Sequence, residues 1–390
     1  MSPERPLDLD TLRTEIDSGH LDTVIVAFPD MQGRLQGKRV HGRFFLDHVL
    51  EHGTEGCAYL LAVDVEMATV AGYAISSWER GYGDMRFVLD LSTLHRTPGQ
   101  DYSATVLADV EWLDGSGPVA PAPRSVLRAQ VDAAAALGFT AFVGTELEFL
   151  VFETPYDQAL ATCDKHTVYK TAAKEIAAAH GRSVTFMAKY DQREGNSCHI
   201  HLSLRRADGT AAFADAADPL GFSPLFRSFL AGLLVSMPEL AVFYAPNINS
   251  YKRFQPDTFA PTAVAWGRDN RTCALRVVGD GLGLRVENRV PGGDVNPYLA
   301  VAAMLAGGLH GIREGLELED ELVGNAYTAD KVHVPATLRE ARDLLAGSAL
   351  ARTAFGDLVV DHYVNLADVE LAAFNAAVTD WERVRGFERM

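Results

Sequence analysis

The sequence has 390 residues, of which 48% are hydrophobic and 22% are charged, and its formal net charge at pH 7 is −17. This is ordinary globular composition with enough apolar residues for two domains, and the negative charge argues against general binding to nucleic acids or anionic membranes. It has no signal peptide, no apolar run near the ~18 residues of a membrane span and four scattered cysteines without metal-binding spacing, so it predicts a cytoplasmic protein with reduced thiols.

The first part of the chain predicts a small β-rich domain over residues 1–115. A short helix at residues 8–18 is followed by two extended runs that flank the turn at residues 29–33 and predict a β-hairpin. The other predicted elements of this part are a helix over residues 44–51 and strands over residues 60–65, 86–91 and 105–112. The Pro- and Gly-rich segment at residues 114–123 then marks a domain boundary.

The second predicted domain, residues 116–390, mixes helices and strands. Its predicted strands are residues 140–152, 184–190 and 199–204, with several more in residues 249–291. Its predicted helices are residues 126–137 with Ser125 as N-cap, 163–180, 224–237, 297–312, a helix that Thr337 caps, and a long amphipathic segment at residues 361–383. This order of elements predicts an α+β fold.

Two short motifs place reactive side chains together on single strand faces. In Glu146-Leu-Glu148 both carboxylates share a face, and in His199-Ile-His201 both imidazoles do, because strand side chains alternate. Two like charges on one half-buried face repel each other unless cations lie between them. Carboxylates combined with an imidazole suit Mg²⁺ or Mn²⁺, whereas zinc more often recruits cysteine.

Residues 249–291 form a positive region in an acidic protein, with seven basic residues against four acidic ones. Within this region Arg285, Glu287 and Arg289 share one strand face. Arginine forks match carboxylate and phosphate oxygens, so the region suits a small, multiply charged anion such as a nucleotide triphosphate. Each motif alone also fits a solvated strand face or a satisfied histidine pair, but their conjunction in this order favours a single site.

From about residue 20 to the C-terminus, the sequence resembles type I glutamine synthetase-like proteins. Among these it is similar to the actinobacterial branch that joins glutamate to organic amines, the γ-glutamyl-ethanolamide and γ-glutamyl-polyamine synthetases. The matching motifs are GTELEF at residues 144–149, GNSCHIHLS at 195–203, NSYKR at 249–253, RDNR at 268–271 and RVENR at 285–289. The resemblance implies an N-terminal β-grasp-like domain and a catalytic domain with a curved antiparallel sheet and flanking helices. It also implies a dodecamer of two stacked hexameric rings with active sites between subunits.

The resemblance implies roles for individual residues as well. Glu148 would bind a first metal ion near glutamate, and a second ion, which holds the phosphates of ATP, would be bound by Glu146, His199 and Glu287. The residues implied in nucleotide binding are His201, Ser203, Arg276 and Arg285, with Arg271 at the transferring phosphoryl group. Those implied in glutamate binding are Gly195, Arg253 and Arg289.

The first departure from the family concerns the acceptor. Where glutamine synthetases carry a flap glutamate that helps to bind and deprotonate ammonium, this sequence has Phe259. A phenyl ring can cover an alkyl group but cannot accept a proton, which favours an organic amine, whose pKa near ~10 still requires a base. Asp64 resembles the aspartate that the family's N-terminal domain lends to a neighbouring subunit's site. It is the candidate base, with a surface carboxylate as the alternative.

The second departure lies after Tyr156. The family has a long loop there and then a strand with two more glutamates, which complete the ligands of the first metal. Here Tyr156 is followed directly by sequence that resembles what comes after that strand. Either the chain carries a deletion, which would leave Glu148 nearly alone as a ligand, or a segment is missing from the sequence in hand. The intact state of the other motifs favours the second explanation.

The sequence therefore predicts an ATP-dependent glutamate–amine ligase with two Mg²⁺ or Mn²⁺ ions and a γ-glutamyl phosphate intermediate. Its predicted partners are L-glutamate and a small amine, first ethanolamine and second a polyamine such as putrescine. One alternative is a true glutamine synthetase that uses ammonium. Another is an inactive paralogue with a binding or regulatory role. A nucleic-acid-binding protein is disfavoured by the net charge and by Glu287 among the arginines.

Overall fold

The computed structural model describes residues 7–147, 152–153, 156–192, 195–255, 258 and 260–389. The predicted metal ligand Glu148 and the predicted flap residue Phe259 lie outside these residues. Helices and strands are interspersed along the described chain, which confirms the predicted α+β class. None of the helices in the described ranges combines the length and the apolar character that crossing a membrane requires.

The N-terminal part is one sheet with helices packed on it. In chain order its elements are α1 (Leu9–Asp17), β1 (Thr23–Pro29), β2 (Leu35–His41), α2 (Gly42–Phe44), a π-helical turn (Phe45–Val49), α3 (Leu50–His52), β3 (Thr54–Cys57), a 3-10 turn (Ala58–Leu61), β4 (Asp84–Arg96) and β5 (Ser103–Trp112). The described strands have the order β2-β1-β5-β4-β3. β1 and β2 form the predicted hairpin, and β5 runs parallel to β1 in the middle of the sheet, as in a β-grasp-like arrangement.

The prediction of a strand over residues 60–65 is wrong. The 3-10 turn Ala58–Leu61 leads there into a loop in which Val63 pairs with Thr69 through a single bridge. Leu61, Ala62 and Val63 are all buried. A short apolar run occurs in strands and in other buried segments alike. The apolar run at residues 60–65 therefore indicates burial but not strand pairing.

The remaining part contains the second sheet and the longer helices. Its elements are α4 (Pro123–Ala136), β6 (Phe139–Leu147), β7 (Phe152–Glu153), β8 (Asp157–Gln158), α5 (Ala159–Ala179), β9 (Cys198–Arg206), α6 (Pro224–Ser236), α7 (Ala241–Tyr244), α8 (Ile248–Tyr251), β10 (Trp266–Arg268), β11 (Leu275–Val278), a 3-10 turn (Gly281–Gly283), β12 (Arg285–Asn288), α9 (Pro297–Glu314), a 3-10 turn (Ala326–Thr328), α10 (Leu338–Gly347), α11 (Ala349–Phe355), α12 (Asp357–Ala376) and α13 (Asp380–Gly386).

The described strands of the second sheet have the order β10-β11-β12-β9-β6-β7, and β8 also pairs with β6. The pairings of β11 with β12, β12 with β9, and β9 with β6 are antiparallel, as expected. The β10–β11 pair is parallel, which corrects the expectation of a purely antiparallel sheet. The reason is that residues 269–274 loop back along β10 before β11 begins, so both strands run in the same direction.

Residues 184–190 are irregular, so the strand predicted there is wrong. The backbone of this segment bonds to a loop and to helix α8 instead of to a neighbouring strand. The amide of Asn196 donates to the carbonyl of Ala188 at 2.9 Å, and the side chain of Asn249 bonds both the amide and the carbonyl of Lys189 at 2.9 Å. Tertiary partners of this kind leave no trace in the alternation of apolar residues.

Several predicted helix boundaries also change; α5, for example, begins at Ala159 rather than at Cys163. α4 begins at Pro123 rather than after Ser125, because proline is well tolerated at the first position of a helix. The predicted segment at residues 361–383 is divided into α12 and α13. The break lies before Thr379, whose side chain caps α13 in a capping box with Glu382.

The core of the second part lies between the sheet and two closely packed helices. Ile200 and Leu202 of β9 belong to the same buried cluster as most of α9. At the α6–α9 contact, a Cβ atom added to Gly232 would lie 2.2 Å from the carbonyl oxygen of Gly307, and one added to Gly311 would lie 2.0 Å from that of Ser228. The backbones of α6 and α9 are therefore in direct contact, which fixes α9 against α6.

Asn296, which caps α9, connects the two parts of the chain. Its side-chain amide donates to the carbonyls of Asp30 and Met31, at 3.2 and 3.0 Å, in the turn between β1 and β2. In the same region the Nε2 atom of His362 on α12 lies 2.8 Å from the sulfur of Met31. The interface thus includes a buried histidine in mainly apolar surroundings, with 3% of its surface exposed.

His362 predicts a dependence of stability on pH. Burial lowers the pKa of its imidazole from 6.5 to about 3. Below pH 6.5 the unfolded chain therefore takes up a proton that the folded chain does not bind until near pH 3, and stability is lost as the pH falls through this window. The loss of unfolding free energy approaches about 1.4 kcal/mol per pH unit.

We expect His362→Gln to remove this component of the pH dependence. The measurement is the free energy of unfolding of the variant and of the wild type at pH 7 and at pH 5. The matched variant at the exposed His48, His48→Gln, should follow the wild-type pH profile. Parallel profiles for wild type and His362→Gln would contradict the prediction.

Candidate active site

One face of the second sheet carries most of the predicted site residues. Strand pairing places them in rows, with Glu146 of β6 opposite His199 of β9, and with Glu287 of β12 opposite both His201 and Arg276. Because alternate residues of a strand share a face, several side chains point the same way. They are Glu146 of β6, His199, His201 and Ser203 of β9, Arg276 of β11, and Arg285 and Glu287 of β12, and Arg289 follows directly after the end of β12.

Three of these side chains form a candidate metal site. One ligand atom from each of Glu146, His199 and Glu287 lies within 4.8 Å of the other two. The Nδ1 atom of His199 is 3.4 Å from a carboxylate oxygen of Glu146 and 3.3 Å from one of Glu287, and the side chains of His199 and Glu287 are 2% and 1% exposed. Two carboxylates and an imidazole that converge in this way fit a hard divalent cation such as Mg²⁺ or Mn²⁺.

His201 orients Glu146 from the next position along the strand. Its Nε2 atom lies 2.8 Å from Glu146, and the Nε–H of Arg285 donates to its Nδ1 atom at 3.2 Å. Since arginine can only donate, Nδ1 accepts and Nε2 carries the proton that reaches the carboxylate. Hydrogen bonds from His199 and then His201 hold the pKa of Glu146 well below its usual value, so the carboxylate is ionised at neutral pH.

Glu287 is the charged centre of the face. Its carboxylate receives Arg276 at 2.8 Å and Arg289 at 2.5 Å, and the residue is fully buried. Burial raises the pKa of a carboxyl, but the positive charge of Arg289 and a hydrogen bond from Arg276 act against it, and the pKa of Glu287 is lowered. A buried carboxylate is thereby kept ionised within the candidate metal site.

Arg253, Arg289 and Gly195 lie together at one end of this face. Arg253 is buried and donates to the carbonyls of Val290 and Arg289 at 2.7 and 3.2 Å. A Cβ atom on Gly195 would be 3.5 Å from the Arg253 side chain and 2.7 Å from the carbonyl of Ala188, so this position has no room for a side chain. Within the described residues the Nε of Arg289 is buried without a hydrogen-bond partner, which leaves a donor for a substrate carboxylate.

At the other end lies a cleft of about 500 Å³, large enough for a nucleoside. Its lining residues are Gly144, Thr145, Glu146, Tyr156, His201, Ser203, Arg205, Leu282, Gly283 and Arg285. The Tyr156 ring stacks on Phe142 with centroids 5.3 Å apart and an interplanar angle of 15°, and its hydroxyl bonds that of Ser203. The guanidinium of Arg205 lies 5.5 Å from the Phe142 centroid. Aromatic faces next to arginine suit a nucleobase, while Arg285 and the metal site suit phosphates.

Sequence reasoning missed Tyr156 and Arg205 as site residues. Arg205 continues the alternation His199, His201, Ser203 along β9, so the strand period alone could have included it. The position of Tyr156 depends on the chain turning back along β6, where Asp157 pairs with Val143. No local pattern signals that turn.

Two predicted site residues lie apart from the cluster. Arg271 is exposed in the loop between β10 and β11. It lies near Asp269, whose pKa is lowered by the hydrogen bond from Arg276 and, to a smaller extent, by the charge of Arg271. The carboxylate of Asp64 accepts the amide of Ala68 at 2.8 Å within its own loop in the N-terminal part.

The connection from β6 to α5 is short. β7 pairs with β6, with Glu153 opposite Glu146, and β8 runs directly into α5 at Ala159. Within the described residues no further strand stands between β8 and α5 to supply the two additional glutamates of the family.

A scan against protein families matches residues 153–385 to the model described as glutamine synthetase, catalytic domain. The chain is 55% identical to γ-glutamylethanolamide synthetase of Streptomyces coelicolor over 450 aligned positions, covering 99% of this chain and 96% of that protein. It is 32% identical to glutamate–isopropylamine ligase of a Pseudomonas species over 455 positions, covering 99% of both. The solved ADP complex of GmaS superposes with a TM-score of 0.84 at 24% identity, covering 96% of this chain and 99% of that one, which shows the shared fold.

The lengths of these alignments bear on the short β6–α5 connection. The first covers 450 positions, whereas this chain has 390 residues, so at least 60 residues of that relative have no counterpart here. The second alignment, at 455 positions, gives the same picture. A shortfall of this size is what the loss of a loop and a strand after Tyr156 would produce.

Proposed function

Because this chain belongs to the glutamine synthetase family and is a glutamine synthetase-like ligase, we propose that it catalyses the ATP-dependent γ-glutamylation of a small organic amine. The observation that carries the proposal is the row of Glu146, His199 and Glu287 between an arginine-lined end and a nucleoside-sized cleft. A carboxylate does not react with an amine, because its oxygen is a very poor leaving group. Transfer of the terminal phosphoryl group of ATP to the glutamate side chain would give an acyl phosphate that the amine can attack.

The metal site would serve the nucleotide end of this reaction. Mg²⁺ or Mn²⁺ bound by Glu146, His199 and Glu287 would neutralise the phosphate oxygens as ATP and glutamate are brought together. Arg285 reaches the same cleft and would contact the phosphates, and Tyr156 and Ser203 would contact the nucleoside. Arg276 bonds Glu287 and Asp269, so its first role would be to hold Glu287 in place, with the phosphates as a further partner.

The arginine-lined end would hold glutamate. The free Nε donor of Arg289, among the described residues, and the nearby Arg253 suit its carboxylates, and the backbone at Gly195 suits its amino end. Ionised Glu146 and Glu287 repel a carboxylate that lacks an intervening cation. This repulsion would couple glutamate binding to the bound metal.

We further propose an organic acceptor amine, with ethanolamine first and a polyamine such as putrescine second. The support is the sequence, which has Phe259 where glutamine synthetases have the flap glutamate, together with the 55% identity to a γ-glutamylethanolamide synthetase. Asp64 is proposed as the base that removes the amine proton, supplied by a neighbouring subunit. Its loop supports this because Val65 and Met67 beside it are exposed, and because Arg34 fixes the loop by donating to the carbonyl of Val65 at 2.7 Å.

A homo-oligomer, a dodecamer with sites between subunits, belongs to the same proposal. So does a cytoplasmic setting, which the unpaired thiols of all four cysteines support.

The experiment that tests the proposal is an acceptor panel. Phosphate release from ATP is measured with glutamate, Mg²⁺ and either ammonium, ethanolamine, putrescine or isopropylamine, and the product is identified by mass spectrometry. We expect kcat/KM for one organic amine to exceed that for ammonium by about 10-fold or more, because a phenyl ring cannot bind ammonium by charge. Turnover with ammonium alone would contradict the role of Phe259 and indicate glutamine synthesis.

A second candidate function is an inactive paralogue that binds nucleotide and serves a regulatory role. The observation that favours it is the shortfall of at least 60 residues against the 450-position alignment, together with the short β6–α5 connection where the resemblance places the glutamates of the first metal. Silence with every amine, from a protein whose intact mass is 42.3 kDa, would favour this candidate. Turnover at that mass would exclude it.

A further inference from the structure

Lys170 on α5 is a cation that the chemistry described above does not use. It is partly buried, and its ammonium donates to the carbonyl of Gly293 at 2.9 Å. The same ammonium lies 5.1 Å from the centroid of the Phe186 ring, within the range of a cation–π contact. Lys170 therefore connects α5 to the segment between β12 and α9, residues 290–296, called the β12–α9 segment below.

The β12–α9 segment is held by backbone contacts that leave it little freedom. The amide of Gly293 donates to the carbonyl of Asn196, and the amide of Cys198 donates to the carbonyl of Pro291, both at 3.0 Å. A Cβ atom on Gly293 would lie 3.0 Å from the carbonyl oxygen of Phe186 and from the Cβ of Asn196. The segment thus fits closely between the loops that carry Phe186 and Asn196. On its other side, Lys170 of α5 bonds the carbonyl of Gly293.

The same backbone supports the residues proposed to bind glutamate. Arg253 is anchored by the carbonyls of Arg289 and Val290, at the start of the β12–α9 segment. Gly195 precedes Asn196 and lies against Arg253. A shift of the segment at Gly293 would therefore move the anchors of Arg253 and the backbone at Gly195 together, while the nucleotide cleft at Tyr156 and Ser203 lies at the other end of the sheet.

We propose that Lys170 is a positioning residue for glutamate. By holding the carbonyl of Gly293, it keeps Arg253, Arg289 and Gly195 at the spacing that the substrate carboxylates and amino group require. This inference rests on the proposed function, because it takes glutamate as the ligand of that end. A hydrogen bond from a charged donor corresponds to roughly 10-fold or more in an equilibrium constant.

The test measures the binding of glutamate and the binding of nucleotide separately. Binding of glutamate is measured calorimetrically on the full chain with Mg²⁺ and a non-hydrolysable ATP analogue, and binding of the analogue is measured separately. We expect Lys170→Met to weaken glutamate binding by about 10-fold or more and to change analogue binding by less than about 2-fold. The matched control is Lys174→Met, one helical turn later, exposed and 5.8 Å from the same Phe186 ring, which should leave both affinities unchanged.

Lys170→Arg gives a second test that does not depend on the folding of the methionine variant. Arginine keeps the charge and the donor, so glutamate binding should stay within about 3-fold of wild type. Unchanged glutamate binding in Lys170→Met, equal weakening of both ligands, or a loss in Lys170→Arg as large as in Lys170→Met would each overturn the inference. A wild-type chain that binds the analogue but not glutamate would overturn the proposed function, and this inference with it.

Discussion

Glu287→Gln is expected to lower the affinity for Mn²⁺ by roughly 100-fold or more and to abolish metal-dependent turnover. Even partners outside the immediate ligand set of a metal typically contribute about 10–100-fold to affinity. Glu287 belongs to the proposed ligand set itself, with Glu146 and His199. The amide keeps the shape of the side chain but removes its charge, so Arg276 and Arg289 would face each other without the carboxylate that now accepts from both.

The measurement is Mn²⁺ titration of the purified chain followed by electron paramagnetic resonance, with turnover measured in parallel. A matched control is Glu319→Gln, which neutralises an ion-paired glutamate, 41% exposed, at 2.8 Å from Lys331. The control should bind Mn²⁺ as the wild type does. If Glu287→Gln retained wild-type Mn²⁺ affinity, the three-residue metal site would be wrong.

Arg124→Met is expected to produce the largest loss of stability. Arg124 is 1% exposed and binds both oxygens of Asp164, at 2.9 and 2.8 Å, as well as Asp109 at 2.6 Å and Asp90 at 2.9 Å. Asp90 and Asp109 belong to β4 and β5, whereas Asp164 belongs to α5, so one guanidinium joins the two parts of the chain. Methionine would leave three carboxylates without their shared cation, and removal of one partner from a buried ion cluster costs about 3–5 kcal/mol.

Thermal unfolding of Arg124→Met is to be compared with that of Arg128→Met. Arg128 binds Asp109 at 2.8 Å from the same helix, but its side chain is 43% exposed. Exposed pairs contribute only about 0–1 kcal/mol, so this control should unfold close to the wild type. Asp90→Asn, which removes one of the three carboxylates, should fall between the two variants. Equal melting temperatures for Arg124→Met and Arg128→Met would contradict a clamping role for Arg124.

The clustering of the predicted site residues on one sheet face was accessible from the sequence because it depends on strand periodicity. His199 and His201 are two positions apart in β9. Arg285 and Glu287 are two positions apart in β12, and Arg289 follows two positions later, so the spacing places each set on one face regardless of the remainder of the fold. The family resemblance then related these sets of residues to one another. The match of residues 153–385 to the glutamine synthetase model confirms the family. The hairpin at β1 and β2 was predictable for the same local reason.

Two predicted strands are wrong, and Tyr156 of the cleft was missed. Residues 60–65 and 184–190 are extended and apolar in sequence, but buried loop contacts hold them instead of strand partners. Tyr156 has no motif, yet it lines the cleft. In each case the deciding contacts come from residues distant in the chain, which periodicity and propensity do not represent.

By itself, the sequence determined the α+β class, the residues that share each strand face and the family. The physical reason is that side-chain alternation and helical spacing are properties of the local backbone. The tertiary structure alone decided which faces meet. It placed Glu146 beside His199 and Glu287, turned Tyr156 back onto Phe142, and brought Lys170 to Gly293 and Arg124 to its three aspartates. These contacts between distant residues depend on the strand order and on the packing of α5 and α9. Both arise from the sum of many weak contacts across the whole chain.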